Sequence, residues 1–147
     1  MKMLESVAFP VWRILPLDLV ATPASPARAP EGRFHHSGQV AAYASLSPEG
    51  ASVAIQRYLA DKIVRKLIPM FFEANLVADQ RGNAGASLVW QDLMTDGKVS
   101  PTWAISDAAR NAGAEAMLYS SRSRPDLCHI VVFNPTCLRF VGPIDTF

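Results

Sequence analysis

Four prolines, Pro16, Pro23, Pro26 and Pro30, stand among alanines and serines between Pro16 and Gly32. Proline has no backbone N–H and a fixed φ, so this stretch can be neither a central strand nor a helix. Any fold open to this chain must therefore carry a long irregular loop early, between two regular elements. A loop of that kind inside a compact domain is usually functional or mobile. It ends at Gly32, and Arg33-Phe34-His35-His36 follow at once.

Local patterning supplies the other elements. Val11–Leu15 reads as a strand before the loop and Val40–Ser45 as a strand after it. Ser47-Pro48-Glu49 starts a helix: a capping hydroxyl, a proline suited to the first helical position, and an acid at the positive end of the dipole. Ala51, Ala54, Ile55, Tyr58 and Leu59 then recur at helical spacing, which predicts one buried face. Lys66–Val77 is a strand, broken or bulged near Pro69. Ala84–Met94 reads as a helix with Leu88, Val89 and Leu93 inward. Ser100-Pro101 opens a further helix, Thr102–Ala112, which Gly113 ends. Ala116–Tyr119, His129–Phe133 and Leu138–Val141 are strands, with Ser120–Asp126 a polar loop and Asn134-Pro135 joining the last two. Strands and helices mix without a regular βαβ alternation. The expected fold class is α+β, a mixed or antiparallel sheet with flanking helices.

With 147 residues, half of them hydrophobic, the chain is expected to fold as a single domain over 1–147. Such a chain buries roughly 68–70% of its unfolded surface, enough for a real core. Fourteen Lys and Arg against thirteen Asp and Glu give a net charge of +1, which argues against direct nucleic-acid binding. The longest strongly apolar run, Leu67–Phe72, is interrupted by Pro69 and far too short for a membrane span. Cys128 and Cys137 form no CxxC, so a reducing cytoplasm is the simplest compartment and the thiols are apolar fillers rather than nucleophiles.

Generic catalytic motifs are missing: there is no Walker loop, GxGxxG, HExxH or GxSxG. His35, His36 and His129 do not make a metal site, because adjacent histidines on an extended segment point to opposite faces and no carboxylate or cysteine cluster joins them. Arg33 carries a fork suited to a phosphate or carboxylate. Tyr43 lies in an otherwise small, apolar strand, and Ser120-Ser121 sits just past another. Ser121, Asp126 and His129 together allow a hydrolase reading, weakened because triads are assembled from separated elements.

In order along the chain stand Trp12-Arg13, Gly32-Arg33-Phe34-His35, Tyr43-Ala44-Ser45 before a helix, Leu118-Tyr119-Ser120-Ser121-Arg122, and Val132-Phe133-Asn134-Pro135. From about Val11 to Gly142 this series resembles the RES domain, a family named for its Arg, Glu and Ser positions. The resemblance implies the toxin of a bacterial toxin–antitoxin pair with an ADP-ribosyltransferase-like fold. It implies NAD as substrate, degraded or used for ADP-ribosyl transfer, with no metal. The implied partner is an antitoxin of the Xre helix-turn-helix type.

By the same resemblance, Arg33 matches the family's arginine, Tyr43 its tyrosine and Ser121 its late serine. Arg33 would clamp the pyrophosphate, Tyr43 would offer a ring face and a hydroxyl, and Ser121 would orient nicotinamide or ribose. The family's glutamate falls by count on Gln56, which carries no charge. Either Glu49 at the helix start takes that role, or the site lacks its carboxylate. In the second case the chain is a catalytically weak module that binds NAD or its antitoxin.

Overall fold

The computed structural model describes residues 4–87 and 100–147. Side-chain alternation sets how its strands face. In β1 (Glu5–Pro16) the buried positions are Val11, Arg13 and Leu15, every second residue, as a pleated strand requires. The later strands are shorter and more apolar: β2 (Ala42–Ser45), β4 (Ala116–Ser120) and β5 (Cys128–Val132) are covered on both faces. Ala42, Ala44, Ala116, Leu118, Ile130 and Val132 join Val11, Ile68, Met70 and Phe72 in one core cluster. The intervening residues Met117, Tyr119 and Val131 join Phe34, Ala78 and Ala109 in a second cluster on the other face.

The sheet closes on itself. Neighbours run β1-β2-β5-β4-β3, where β3 is Arg65–Asp79, and β3 pairs back along nearly the whole of β1. This five-membered, barrel-like ring is antiparallel except at β3–β4, where Val77–Asp79 run parallel to Ala116–Leu118. It contacts its first pair lightly, through Trp12 opposite Ser45. Two short strands, β6 (Leu138–Phe140) and β7 (Asp145–Thr146), add to β3 outside the ring. The fold is α+β with a mixed sheet, as the pattern predicts.

Pro69 does not break its strand. Trp12 faces Pro69 within an unshifted register, and the only irregularity in the β1–β3 ladder lies between Glu5 and Val7. The Pro69 carbonyl accepts from the Val141 N–H, so its backbone edge faces away from β1. The donor that proline lacks is not needed by that ladder.

Helix α1 (Pro48–Ile55) starts as expected, with the Ser47 hydroxyl accepting from the Gly50 N–H at 2.9 Å. It is shorter than the apolar spacing predicts, passing at Ile55 into a 3-10 turn, Gln56–Asp61, that Lys62 ends at φ +60°. The predicted buried face forms only in part: Ala51 is buried and Ile55 half-buried, whereas Ala54, Tyr58 and Leu59 are exposed. Helical periodicity reports an apolar face and cannot distinguish a core from a cavity wall.

Helix α2 (Pro101–Asn111) is capped by Ser100 and closed by Gly113 at φ +90°. Of the predicted 84–94 helix, Ala84–Ser87 form a 3-10 turn and the rest lies outside the described residues. Among the described residues no helix is long and apolar enough to cross a membrane.

The proline loop is strapped down. Arg13, from β1, donates to the carbonyls of Pro23 (2.7 Å), Ser25 (2.8 Å) and Tyr43 (2.9 Å). The Ala27 N–H donates to the Ala41 carbonyl and the Leu17 N–H to that of Val64. Arg13 is buried with no acidic partner among the described residues, and burial pushes its pKa down to about 10.

Candidate active site

Between the loop, the ends of the ring strands and α1 lies a cleft of about 840 Å³. It is lined by Ala27, Ala29 and Gly32 from the loop, Ala54 and Tyr58 from α1 and the turn after it, and Tyr119 and His129 from the sheet. Of the residues predicted to bury a helix face, Ala51, Ala54, Ile55 and Tyr58 line this cavity.

A tight turn builds the loop-side wall. The Gly32 N–H donates to the His35 carbonyl at 3.0 Å, closing Gly32 to His35. Glycine is required there: a Cβ would come within 2.4 Å of the His35 ring and 2.9 Å of the Tyr43 hydroxyl. The turn is pinned to α2 by the Trp103 indole N–H, which donates to the Gly32 carbonyl at 2.8 Å, and by the Thr102 hydroxyl, which donates to the Arg33 carbonyl.

The hydrogen bonds fix the roles of His35 and Tyr43. His35 Nε2 faces the Ala29 carbonyl at 2.8 Å, and a carbonyl only accepts, so Nε2 carries the proton. In the tautomer with its proton on Nε2 alone, Nδ1 accepts from the Tyr43 hydroxyl at 2.7 Å, while that oxygen accepts from the Phe34 N–H at 3.0 Å. Burial raises the Tyr43 pKa. Its proton is thus committed, and what Tyr43 presents to the cleft is its ring and one oxygen lone pair.

Arg33 lines the cleft beside these groups, and no acid pairs with its guanidinium among the described residues. Its charge is felt by Tyr43, Tyr119 and His129. Ser121 is 4% exposed; its hydroxyl accepts from the Arg124 N–H at 3.3 Å and keeps its own proton to donate. Ser120 faces away, accepting from the Gly82 N–H, as alternation along a strand demands. Gln56 lines the cleft from the turn after α1. Four candidate residues, Arg33, Tyr43, Gln56 and Ser121, therefore share one cavity. Glu49 does not line it: its carboxylate accepts from Arg124 at 3.1 Å on the exposed outer side.

The three-residue hydrolase arrangement is not assembled. Asp126 holds Arg124 through two hydrogen bonds, and His129 Nδ1 meets Ser45 Oγ at 2.7 Å rather than Asp126. Nor do the adjacent histidines share a face: His36 stacks on Trp103 and bonds Asp107 at 2.9 Å, while His35 turns to Tyr43. Both cysteines are free. Burial, with Glu115 beside it, pushes the Cys137 thiol up to about 11, which leaves it unreactive at neutral pH.

Burial, reinforced by Arg33, pushes His129 down to about 4 from 6.5. Folded His129 is neutral where an unfolded histidine binds a proton. Its contribution to stability is therefore complete above about pH 6.5 and falls as pH drops toward 4, by up to ~1.4 kcal/mol per pH unit. Urea midpoints measured across that window should decline more steeply for the wild type than for His129→Gln. Equal slopes would remove His129 as the cause.

The cleft wall also holds Trp12, Glu31, Tyr119 and the hydrogen-bonded Ser45–His129 pair, none of which the sequence assigned to the NAD site. Trp12, Ser45 and Tyr119 stand inside the short motifs without a role read from them, Glu31 stands in none, and the closing of the sheet brings them together.

A family model described as RES domain matches residues 10–147. The chain belongs to the RES-domain family. Among solved structures, the crystal structure of the M. tuberculosis MbcT–MbcA toxin–antitoxin complex is similar, at 16% identity and a TM-score of 0.68 over 99% of this chain and 84% of that one. At that identity the likeness concerns the fold. No curated protein gives a significant match. In this RES domain the two positions weighed for the glutamate are thus divided: Gln56 is in the cleft without a charge, and Glu49 has the charge outside it.

Proposed function

We propose that this RES domain is the toxin of a bacterial toxin–antitoxin pair and consumes NAD by breaking its nicotinamide–ribose bond. The observation that carries the reading is the shared cleft of Arg33, Tyr43, Gln56 and Ser121, whose roughly 840 Å³ is within the range of small-molecule sites. The domain would work as an ADP-ribosyltransferase-like fold in the cytoplasm, restrained by an Xre-type helix-turn-helix antitoxin. The likeness to a toxin–antitoxin complex in fold supports that partnership.

The chemistry fits the cleft's charge. The unpaired Arg33 fork suits a pyrophosphate, held by two charge-assisted hydrogen bonds. The Tyr43 ring gives a flat surface for a base or ribose, and the Ser121 hydroxyl proton suits the nicotinamide carbonyl or a ribose oxygen. Breaking the C1′–N bond sends its electron pair to nicotinamide and leaves an oxocarbenium-like ribose, as in glycoside cleavage. Water, phosphate or a protein group then adds at C1′. None of these steps needs a metal.

A second reading follows from Gln56: without a carboxylate there, the domain binds NAD or its antitoxin and turns it over weakly. Incubating purified protein with NAD and following nicotinamide by chromatography separates the two. Time-dependent release proportional to protein is the expected result. Saturable NAD binding without release would leave the binding module standing and remove the enzyme.

A further inference from the structure

We propose that Glu31 supplies the carboxylate that the cleft lacks at Gln56. This rests on the NAD-cleaving reading and extends it to a residue outside the family's motif positions. Glu31 is the one carboxylate among the described residues that line the cleft. The other acids near that region are committed: Glu49 and Asp126 to Arg124, and Asp79 to Arg81. No described cation pairs with Glu31.

Its backbone is held on both sides. On one side His35 Nε2 binds the Ala29 carbonyl; on the other, Gly32 donates to His35 and accepts from Trp103. Glu31 is thus attached to the same turn that seats the Tyr43 hydroxyl against Gly32 and carries Arg33. The fixed backbone keeps the exposed Glu31 side chain at the cleft lining, within reach of a charge that develops there.

The charge logic assigns the two side chains different halves of the substrate. The Arg33 cation suits the pyrophosphate, and the Glu31 anion suits the nicotinamide riboside, whose positive charge moves from a delocalised ring to C1′ and O4′ as the bond breaks. Nicotinamide leaves neutral with the electron pair. With water as acceptor, the oxygen bonds to C1′ and its proton passes to Glu31 or solvent. Because the charge is most concentrated in the transition state, the carboxylate acts on kcat more than on KM.

The test measures NAD cleavage by the wild type, Glu31→Gln, Gln56→Glu and the double variant. Glu31→Gln should lower kcat about a hundredfold while KM moves less than about threefold. Glu31 is exposed and makes no described bond, so the variant should unfold at the wild-type midpoint. Gln56→Glu, added to Glu31→Gln, should restore at least about tenfold, because it returns a carboxylate to the same cleft. A Glu31→Gln enzyme with kcat within about twofold of wild type overturns the proposal and leaves the NAD reading intact. A loss carried by KM alone, or not relieved in the double variant, makes Glu31 a binding group and also overturns it. A wild type that releases no nicotinamide removes the NAD reading and Glu31's role together.

Discussion

Arg33→Ala is expected to lower NAD cleavage by about a hundredfold to ten-thousandfold while leaving the fold intact. The guanidinium lines the cleft and has no acidic partner among the described residues, so removing it strands no buried charge. A fork to a phosphate makes two hydrogen bonds to a charged group, each worth about 1.5–3 kcal/mol. At about 1.4 kcal/mol per tenfold, their joint loss gives that range. Arg33→Lys should recover only part of it, because an ammonium is a point charge and cannot reproduce the planar fork. His129 supplies an internal check. Its pKa is held down chiefly by burial and to a smaller extent by Arg33, so in Arg33→Ala it should rise slightly from about 4, visible by NMR titration. A fully active alanine variant would take Arg33 out of the mechanism.

Arg13→Ala is expected to be the most destabilising single change in the loop–sheet junction, by about 3–5 kcal/mol. The side chain is 5% exposed and donates to three backbone carbonyls from two different segments. Truncation leaves those carbonyls without their donor, and a buried polar group so orphaned costs about 1–3 kcal/mol. Domains of this size are stable by only about 5–15 kcal/mol, so the loss is a large share of the total. Urea unfolding should show a lower midpoint at unchanged slope. The proline loop should also become the first site of limited proteolysis, since the two bonds to Pro23 and Ser25 are what tether its middle to β1. A midpoint within about 0.5 kcal/mol of wild type would show that the remaining backbone bonds of the loop suffice.

The two variants separate chemistry from scaffold within one motif set. Trp12-Arg13 and Gly32-Arg33 look alike as sequence, an arginine beside a distinctive neighbour. One arginine is spent on carbonyls, and the other has no acidic partner among the described residues. Spacing gives no means of telling them apart, because hydrogen-bond partners are a property of the closed sheet.

Local chemistry determined much of this protein. Ser47-Pro48 and Ser100-Pro101 open helices where expected, since a cap needs only its own first turn. Ala116–Tyr119 and His129–Phe133 are strands where expected, because short apolar runs bounded by turn residues act at short range. The order of the short motifs also pointed to the RES family. Tertiary structure alone decided the rest. Pro69 stays in register because its missing donor faces away from β1. The apolar side of α1 meets a cavity rather than a core. Glu49 lies outside the cleft and Glu31 inside it, although Glu49 adjoins the tyrosine strand in sequence. In each case the deciding neighbour is far along the chain, across a ring closed by pairing β1 with β3. A pattern read along the backbone registers periodicity and caps; which way a side chain faces across a closed sheet depends on strands that meet only after folding.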